Sequence, residues 1–306
     1  MTFDIIGKRF WFFFISGVLI ILSIVSLATV GLKSGIEFSS GSLLTVRFEE
    51  PVEYAQFKQE LASIGYTDAI IQRTGEGEFL IRTHELSELE KNQITEALTT
   101  RFGNLSEPQF YSVSPMVAGE TARNAAIAVV VAMAGILLYV TWAFRRMPKP
   151  FRYGTSAVIA LAHDALIALG VFSIFGAILG WQINLMFITG ILAVTGYSIN
   201  NIIVIFDRIR ENVRLGVSDD FEVVVNNSLV ETLGRSLNTS ITTLIVLIAL
   251  LLFVGSTIQN FVIVLLVGII AGTFDSVCVA PSLLVVWDKG EWGRFIPRSS
   301  PSRAKA

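Results

Sequence analysis

Residues 196–212 read GYSINNIIVIFDRIREN, an apolar run of bilayer-spanning character that carries two adjacent asparagines, Asn200 and Asn201. It continues without a break into Asp207, Arg208, Arg210 and Glu211. Polar side chains at membrane depth are costly and are retained where they do something. On a helix, Tyr197, Asn201, Val204 and Arg208 fall at i, i+4, i+7 and i+11, one stripe that presents its polar groups to the same neighbours. The reading of this stretch as a membrane helix sets the class of the whole chain.

Composition agrees. Of 306 residues, 53% are hydrophobic and 16% charged, against about 25% charged in soluble domains, which makes this an α-helical integral membrane protein. A net charge of -2 gives no reason to expect a nucleic-acid partner. The single cysteine, Cys278, lies in an apolar segment, so neither an intrachain disulfide nor a cysteine zinc cluster is available and packing is its expected role.

Working outward, Lys8 and Arg9 precede an apolar run from Phe10 to Leu32, long enough to span a core of roughly 30 Å and longer than a signal peptide's apolar region. Five further spans are predicted at about 125–144, 154–179, 185–206, 236–254 and 260–287. Basic residues gather at Arg145, Arg146, Lys149 and Arg152, at Arg208, Arg210 and Arg214, and at Lys289, Arg294 and Arg298; the opposite connections, 180–184 and 255–259, have none. The positive-inside rule then predicts cytoplasmic termini and an external placement for everything between the first two spans.

That inserted region alternates between strand and helix periods. Leu43–Phe48, Ala69–Arg73, Glu78–Arg82 and Gln109–Val113 read as strands, with a turn at Gly75-Glu76-Gly77. Tyr54–Ile64 and Ser87–Phe102 read as amphipathic helices. The order β-α-β-β-α-β is the ferredoxin-like arrangement. The predicted layout is a cytoplasmic N-terminus and first helix at 1–32, an external ferredoxin-like α+β domain at 33–123, the other five spans at 124–288, and a disordered cytoplasmic tail at 289–306. A separate helix near 219–234, opened by Ser218 and an acidic turn, is predicted to lie in the cytoplasmic interface. The region holds no metal-ligand spacing, glycine-rich phosphate loop or nucleophile–base pair, and His84 reads as a surface histidine. No catalytic, cofactor or metal residues, and no enzyme activity, are expected.

The candidate site is a set of intramembrane polar residues. His163 and Asp164 sit mid-span, and Asp164 shares its face with Ala157, Ala160 and Ala168; Asp275 shares a face with Gly268 and Gly272. Small residues let another helix approach closely, so both carboxyls are expected inside a bundle. His163 either satisfies a polar cavity or carries protons. Asn200 and Asn201 serve either as interhelical hydrogen-bond glue or as members of a relay. Arg235 reads either as a snorkelling interfacial arginine or as part of the same network, and Asp207, Arg208 and Arg210 read as helix-end anchors.

These residues, with ALAHDALIALGVF at 160–172 and GIEFSSGSLLTVRF at 35–48, resemble the SecF family, the smaller subunit of the SecDF accessory complex of bacterial protein translocation. The resemblance runs from the first helix to about Trp287. It implies a multi-pass bacterial inner-membrane protein of the resistance-nodulation-division superfamily that works with a SecD subunit and the Sec translocon channel. The implied action is to use the proton motive force to draw an unfolded preprotein outward after its ATP-driven passage, with a membrane-protein insertase as a further partner. It also implies that Arg235 is the family's intramembrane arginine. Two departures stand out. The family's pattern after Ser-x-Asn has an aspartate where this chain has Asn201, which cannot ionise, and its usual acidic residue and paired glycines are represented by Glu37 and Ser39-Ser40-Gly41. Asp275 is a candidate to replace the missing carboxylate. A non-titrating scaffold for SecD and the channel, and a half-transporter of the small-molecule exporter type, are the competing readings, the small external domain counting against the second. The coupling ion, H⁺ or Na⁺, is left open.

Overall fold

The computed structural model describes residues 4–73, 77–254 and 256–294. The predicted turn residues Gly75 and Glu76 lie outside them; of the tail predicted as disordered at 289–306, Lys289 closes a helix and Glu291–Arg294 form a 3₁₀ turn, and the rest, with Arg298, lies outside the described residues. After a 3₁₀ turn at Ile6–Lys8, helix α1 spans Arg9–Thr29.

There follows a unit built from Lys33–Ala128 and Gln182–Leu185. It begins with one turn, α2 (Ile36–Ser39), and continues β1 (Gly41–Phe48), α3 (Tyr54–Ser63), β2 (Ile70–Arg73), β3 (Phe79–Thr83), α4 (Glu88–Phe102) and β4 (Leu105–Val113). The sheet order is β2-β3-β1-β4 with every pair antiparallel, the split-βαβ topology that the element order predicts. β1 buries Leu44, Val46 and Phe48 in alternation. Phe57 stacks on Phe79 at 4.1 Å, and Phe48 and Phe102 pack edge-on to each other at 5.5 Å. Ser87 caps α4 in a capping box with Glu90. Unforeseen in the sequence, the 180–184 connection returns to this unit: Gly35 N–H donates to the Ile183 carbonyl at 2.7 Å, and Ile183 N–H to that of Lys33 at 2.8 Å.

The turn into β1 explains the departure at 39–41. Ser40 has φ 60° and ψ 171°, a region that glycine alone occupies without strain, and Gly41 has φ 116° with its missing Cβ only 2.5 Å from the Thr83 carbonyl oxygen. The geometry asks for two consecutive glycines, and the chain supplies one.

The membrane unit adds α5 (Pro115–Ala143), α6 (Phe151–Leu179), α7 (Leu185–Leu215), α8 (Phe221–Phe253) and α9 (Ser256–Phe274). A π turn (Asp275–Val279) then leads into α10 (Ala280–Lys289). Among the described residues, six segments are long and apolar enough to cross a membrane: Ile6–Thr29, α5, α6, α7, α8 and Ile258–Lys289. α5 starts some ten residues before its predicted span, so the predicted 123/124 boundary falls inside a helix. The separate interfacial helix predicted near 219–234 is also corrected. α8 runs unbroken through 33 residues, because Gly234 alone, at about 1 kcal/mol, does not break a helix that is packed on both sides of it. The π turn has a local cause. Pro281 has no N–H to donate one turn back, and the Ala280 N–H reaches the Asp275 carbonyl five residues earlier.

At one end of the bundle Arg9, 5% exposed, is held by carboxylates. Its guanidinium donates to Glu291 at 2.8–3.0 Å and to Glu222 at 2.6 Å, and Lys289 pairs with Glu222 as well. The sequence marks Arg9 only as a flanking charge.

Replacing Ser40 by glycine is expected to stabilise the sheet unit by about 1 kcal/mol by relieving backbone strain, and Gly41→Ala to destabilise it by more than that. Thermal denaturation of the two variants beside the parent chain measures both shifts.

Candidate functional site

The site lies within the membrane unit, where α6, α7 and the π turn meet. α6 turns Ala157, Ala160 and Ala168 inward on the face of Asp164, and all three are fully buried. In the last turn of α9 lies Gly272, whose missing Cβ would stand 1.9 Å from Ser198 Oγ of α7 and 3.0 Å from Asp164 Oδ2. Backbone and side chains therefore meet there with no room for a methyl group. The π turn then places Asp275 against α6.

His163, Asp164 and Asp275, which are 6%, 1% and 0% exposed, come together. One ligand-type atom from each lies within 4.8 Å of the others. His163 Nδ1 approaches Asp275 Oδ2 to 2.6 Å. The contact is close but poorly directed, so it counts as proximity and not as a formed hydrogen bond. Among the described residues, neither imidazole nitrogen, none of the four carboxyl oxygens and not Ser198 Oγ forms a well-directed hydrogen bond, although Asp164 stands beside both Ser198 and Asp275. No ion pair to lysine or arginine reaches either carboxyl among the described residues. Uncompensated charge in such surroundings is expensive. An imidazole and two carboxyls at this spacing can reduce that charge by sharing protons or by taking a cation. Sequence spacing predicts no metal residues, yet these three supply a nitrogen and two oxygens in reach of one ion.

Beside this cluster runs a neutral polar chain. Asn201, 7% exposed, donates from Nδ2 to Ser276 Oγ at 3.0 Å, and Ser276 Oγ donates to the Thr273 carbonyl at 3.1 Å. Thr273 Oγ1 lies 2.7 Å from Ser240 Oγ of α8, to which Tyr197 also reaches at 3.3 Å. Because Ser276 follows Asp275, the chain and the cluster share the π turn.

The other predicted residues stand apart. Asn200, one residue from Asn201, is exposed on the far face of α7. Arg235 is exposed on α8 and forms no ion pair among the described residues. Asp207 pairs with Arg210, while Arg208 pairs with Glu211 at 2.5 Å and with Glu231 of α8 at 2.6 Å, so this motif clamps α7 to α8 at the helix ends. Ser198, Ser240, Thr273 and Ser276 were not singled out in the sequence, since lone hydroxyls are ordinary in membrane helices; Ser276 alone had a signal, its place beside an intramembrane aspartate.

Gly272→Ala is expected to push α9 away from Ser198 and Asp164 at a cost of about 1–3 kcal/mol. Gly135→Ala on α5, where nothing lies within 4 Å, serves as the control, expected to show only the helix-propensity gain of about 1 kcal/mol. The midpoint of thermal unfolding in detergent reads both.

Residues 93–290 match the family described as protein export membrane protein SecD/SecF, C-terminal, and residues 25–52 match the SecD/SecF GG motif. A protein translocase subunit SecF of Thermobaculum terrenum is 39% identical over 98% of this chain and 99% of its own length. That of Anaerolinea thermophila is 38% identical over 97% and 98%. The crystal structure of SecDF from Thermus thermophilus, titled a translocon-associated membrane protein, superposes with a TM-score of 0.83 at 32% identity over 94% of this chain. The chain spans 39% of the length of that solved protein. A second SecDF structure, in a super-membrane-facing form, gives 0.68 at 29% identity over 96% of this chain.

Proposed function

The chain belongs to the SecD/SecF protein-export family as a translocase subunit of the SecF type, and from that premise we propose that it couples ion movement to preprotein translocation through the His163–Asp164–Asp275 cluster. Its part in Sec protein translocation with SecD, as a multi-pass inner-membrane component, follows from the family.

The observation that carries the coupling proposal is the exchange of roles around Asn201. At the position where the family pattern has a carboxyl, this chain has an amide whose Nδ2 is committed to Ser276. An ionisable carboxyl stands next to Ser276 instead, fully buried against His163. Asp275 and Asp164 take up and release the coupling ion, His163 relays between them, and the Asn201–Ser276 pair holds the π turn in register. Protons from the proton motive force are the ion this set of donors takes most directly; the same donors admit Na⁺.

A partner supplies what the chain lacks. Arg235, Asn238 and Thr242 are exposed on α8 within its spanning segment, and a cation facing hydrocarbon costs about 2.5–3.5 kcal/mol or more. That face fits a SecD-like helix bearing a carboxyl. The basic residues at 145–152, 208–214 and 289–294 support cytoplasmic ends and an external sheet unit that handles the emerging unfolded chain. The Sec channel and an insertase are the further partners proposed.

A second reading, a scaffold that holds SecD and the channel without titrating, is favoured by the amide at 201. Reconstituting the chain with its SecD partner in vesicles and following late preprotein translocation separates the two. On the coupling reading, Asp275→Asn lowers gradient-stimulated translocation by about tenfold or more and leaves the gradient-free rate unchanged, and Asn201→Asp in that background restores part of it. Undiminished gradient stimulation in the Asp164→Asn, Asp275→Asn double variant leaves the scaffold reading standing. Exchanging the proton gradient for a sodium gradient identifies the ion.

A further inference from the structure

A cavity of about 220 Å³ opens at the end of the membrane unit where α5, α6, α7, α8 and α10 begin or finish. Buried Met147, Tyr153 and Leu284 and half-buried Phe221 give it an apolar lining, and Lys149 and Arg152 stand at its polar edge with Asp288. We propose that this cavity binds the phosphate-bearing headgroup of an anionic phospholipid from the surrounding bilayer.

Charge is the first argument. Residues 145–152 carry Arg145, Arg146, Lys149 and Arg152 and no acidic residue. Asp288, 3.8 Å from Arg152, orients that side chain, whose Nη1 also donates to the Trp287 carbonyl at 3.0 Å, and leaves the edge net positive. Basic pockets between spans at the cytoplasmic boundary are where anionic headgroups dock.

Backbone conformation is the second. Lys149 has φ 52°, a conformation that glycine or asparagine adopts more cheaply. Its ammonium has no partner among the described residues. A strained position that keeps a long cation is explained by an anion for that cation to meet.

The third is an available hydroxyl. Tyr153 lines the cavity and its side chain is nearly buried, yet its phenol oxygen is not one of the enclosed atoms of the bundle interior and forms no protein hydrogen bond among the described residues. A phosphate or glycerol oxygen in the cavity accepts its proton, while the apolar lining takes the first methylenes of the chains. The volume, below the roughly 300–1,000 Å³ of drug-sized pockets, suits a headgroup. The depth suits it too, because helix ends mark the level at which headgroups lie. Trp142, stacked under Arg145 at 4.5 Å, and Trp287 beside Arg152 are interfacial anchors at this level.

Native mass spectrometry of the full chain in detergent tests the site, with dioleoyl phosphatidylglycerol, dioleoyl phosphatidylcholine and inorganic phosphate as separate probes. The expected result is a one-to-one adduct with phosphatidylglycerol that phosphatidylcholine does not form and millimolar phosphate does not displace. Lys149→Asn, which keeps the backbone conformation, and Arg152→Gln each weaken it about fivefold, and Lys58→Gln in the sheet unit does not. Equal retention of the two lipids, displacement by phosphate, or unchanged binding in Lys149→Asn overturns the proposal. Should Arg152→Gln unfold through loss of its Trp287 bond, Lys149→Asn decides alone.

Discussion

Two carboxyls and an imidazole share one buried site with no lysine or arginine paired to it among the described residues. Solvent accommodates such groups at no structural cost; in the bundle interior the packing of the helices has to bring them together and keep them together. The alanine face of α6, the approach of α9 to α7 at Gly272 and the π turn before Pro281 combine to do so. A regular helix through 275–279 would shift the phase of α10 against α9, so the faces on the two sides of Asp275 would not both keep their present neighbours. The irregular turn is therefore part of the site and not a fault in the span.

Asn201 fits this frame as a fixed member. An amide donates and accepts at once, so it can hold Ser276 whatever charge the neighbouring Asp275 carries, and the helix contact it makes does not depend on pH. On the proposed coupling reading, one group moves protons and its sequence neighbour holds the geometry. Separating these tasks lets the charge of the cluster change without loosening α7 from the π turn.

Much of the fold was legible because its signals are local. Apolar length gives the spans, and period-2 and period-3.6 alternation gives the β-α-β-β-α-β order, to within a few residues at most ends. The small residues beside Asp164 and Asp275 likewise pointed both carboxyls inward. What could not be read was which inward faces meet. Asn200 and Asn201 differ by about 100° around a helix, enough to put one in the interior and the other outside, and the neighbour that decides between them lies 75 residues away. Arg235 reads as intramembrane in sequence, but nothing local says that it faces out of its own bundle. The unbroken α8 was missed because an amphipathic first half followed by an apolar second half resembles two helices.

The knot around Arg9 joins residues 282 positions apart. A chain made from its N-terminus exposes Arg9 at the start of the first span long before Glu222, and then Glu291, has been synthesised. Until then that guanidinium lacks the carboxylates that balance it, and the first helix is held only by its packing on α6, where Ser26 meets Ser173 at 2.8 Å. The Glu291 half of this cluster acts as a clasp fastened after the sixth span has been made: a chain cut just before residue 291 has all six spans and the Glu222 contact, but not the carboxylate that Arg9 meets through two of its nitrogens.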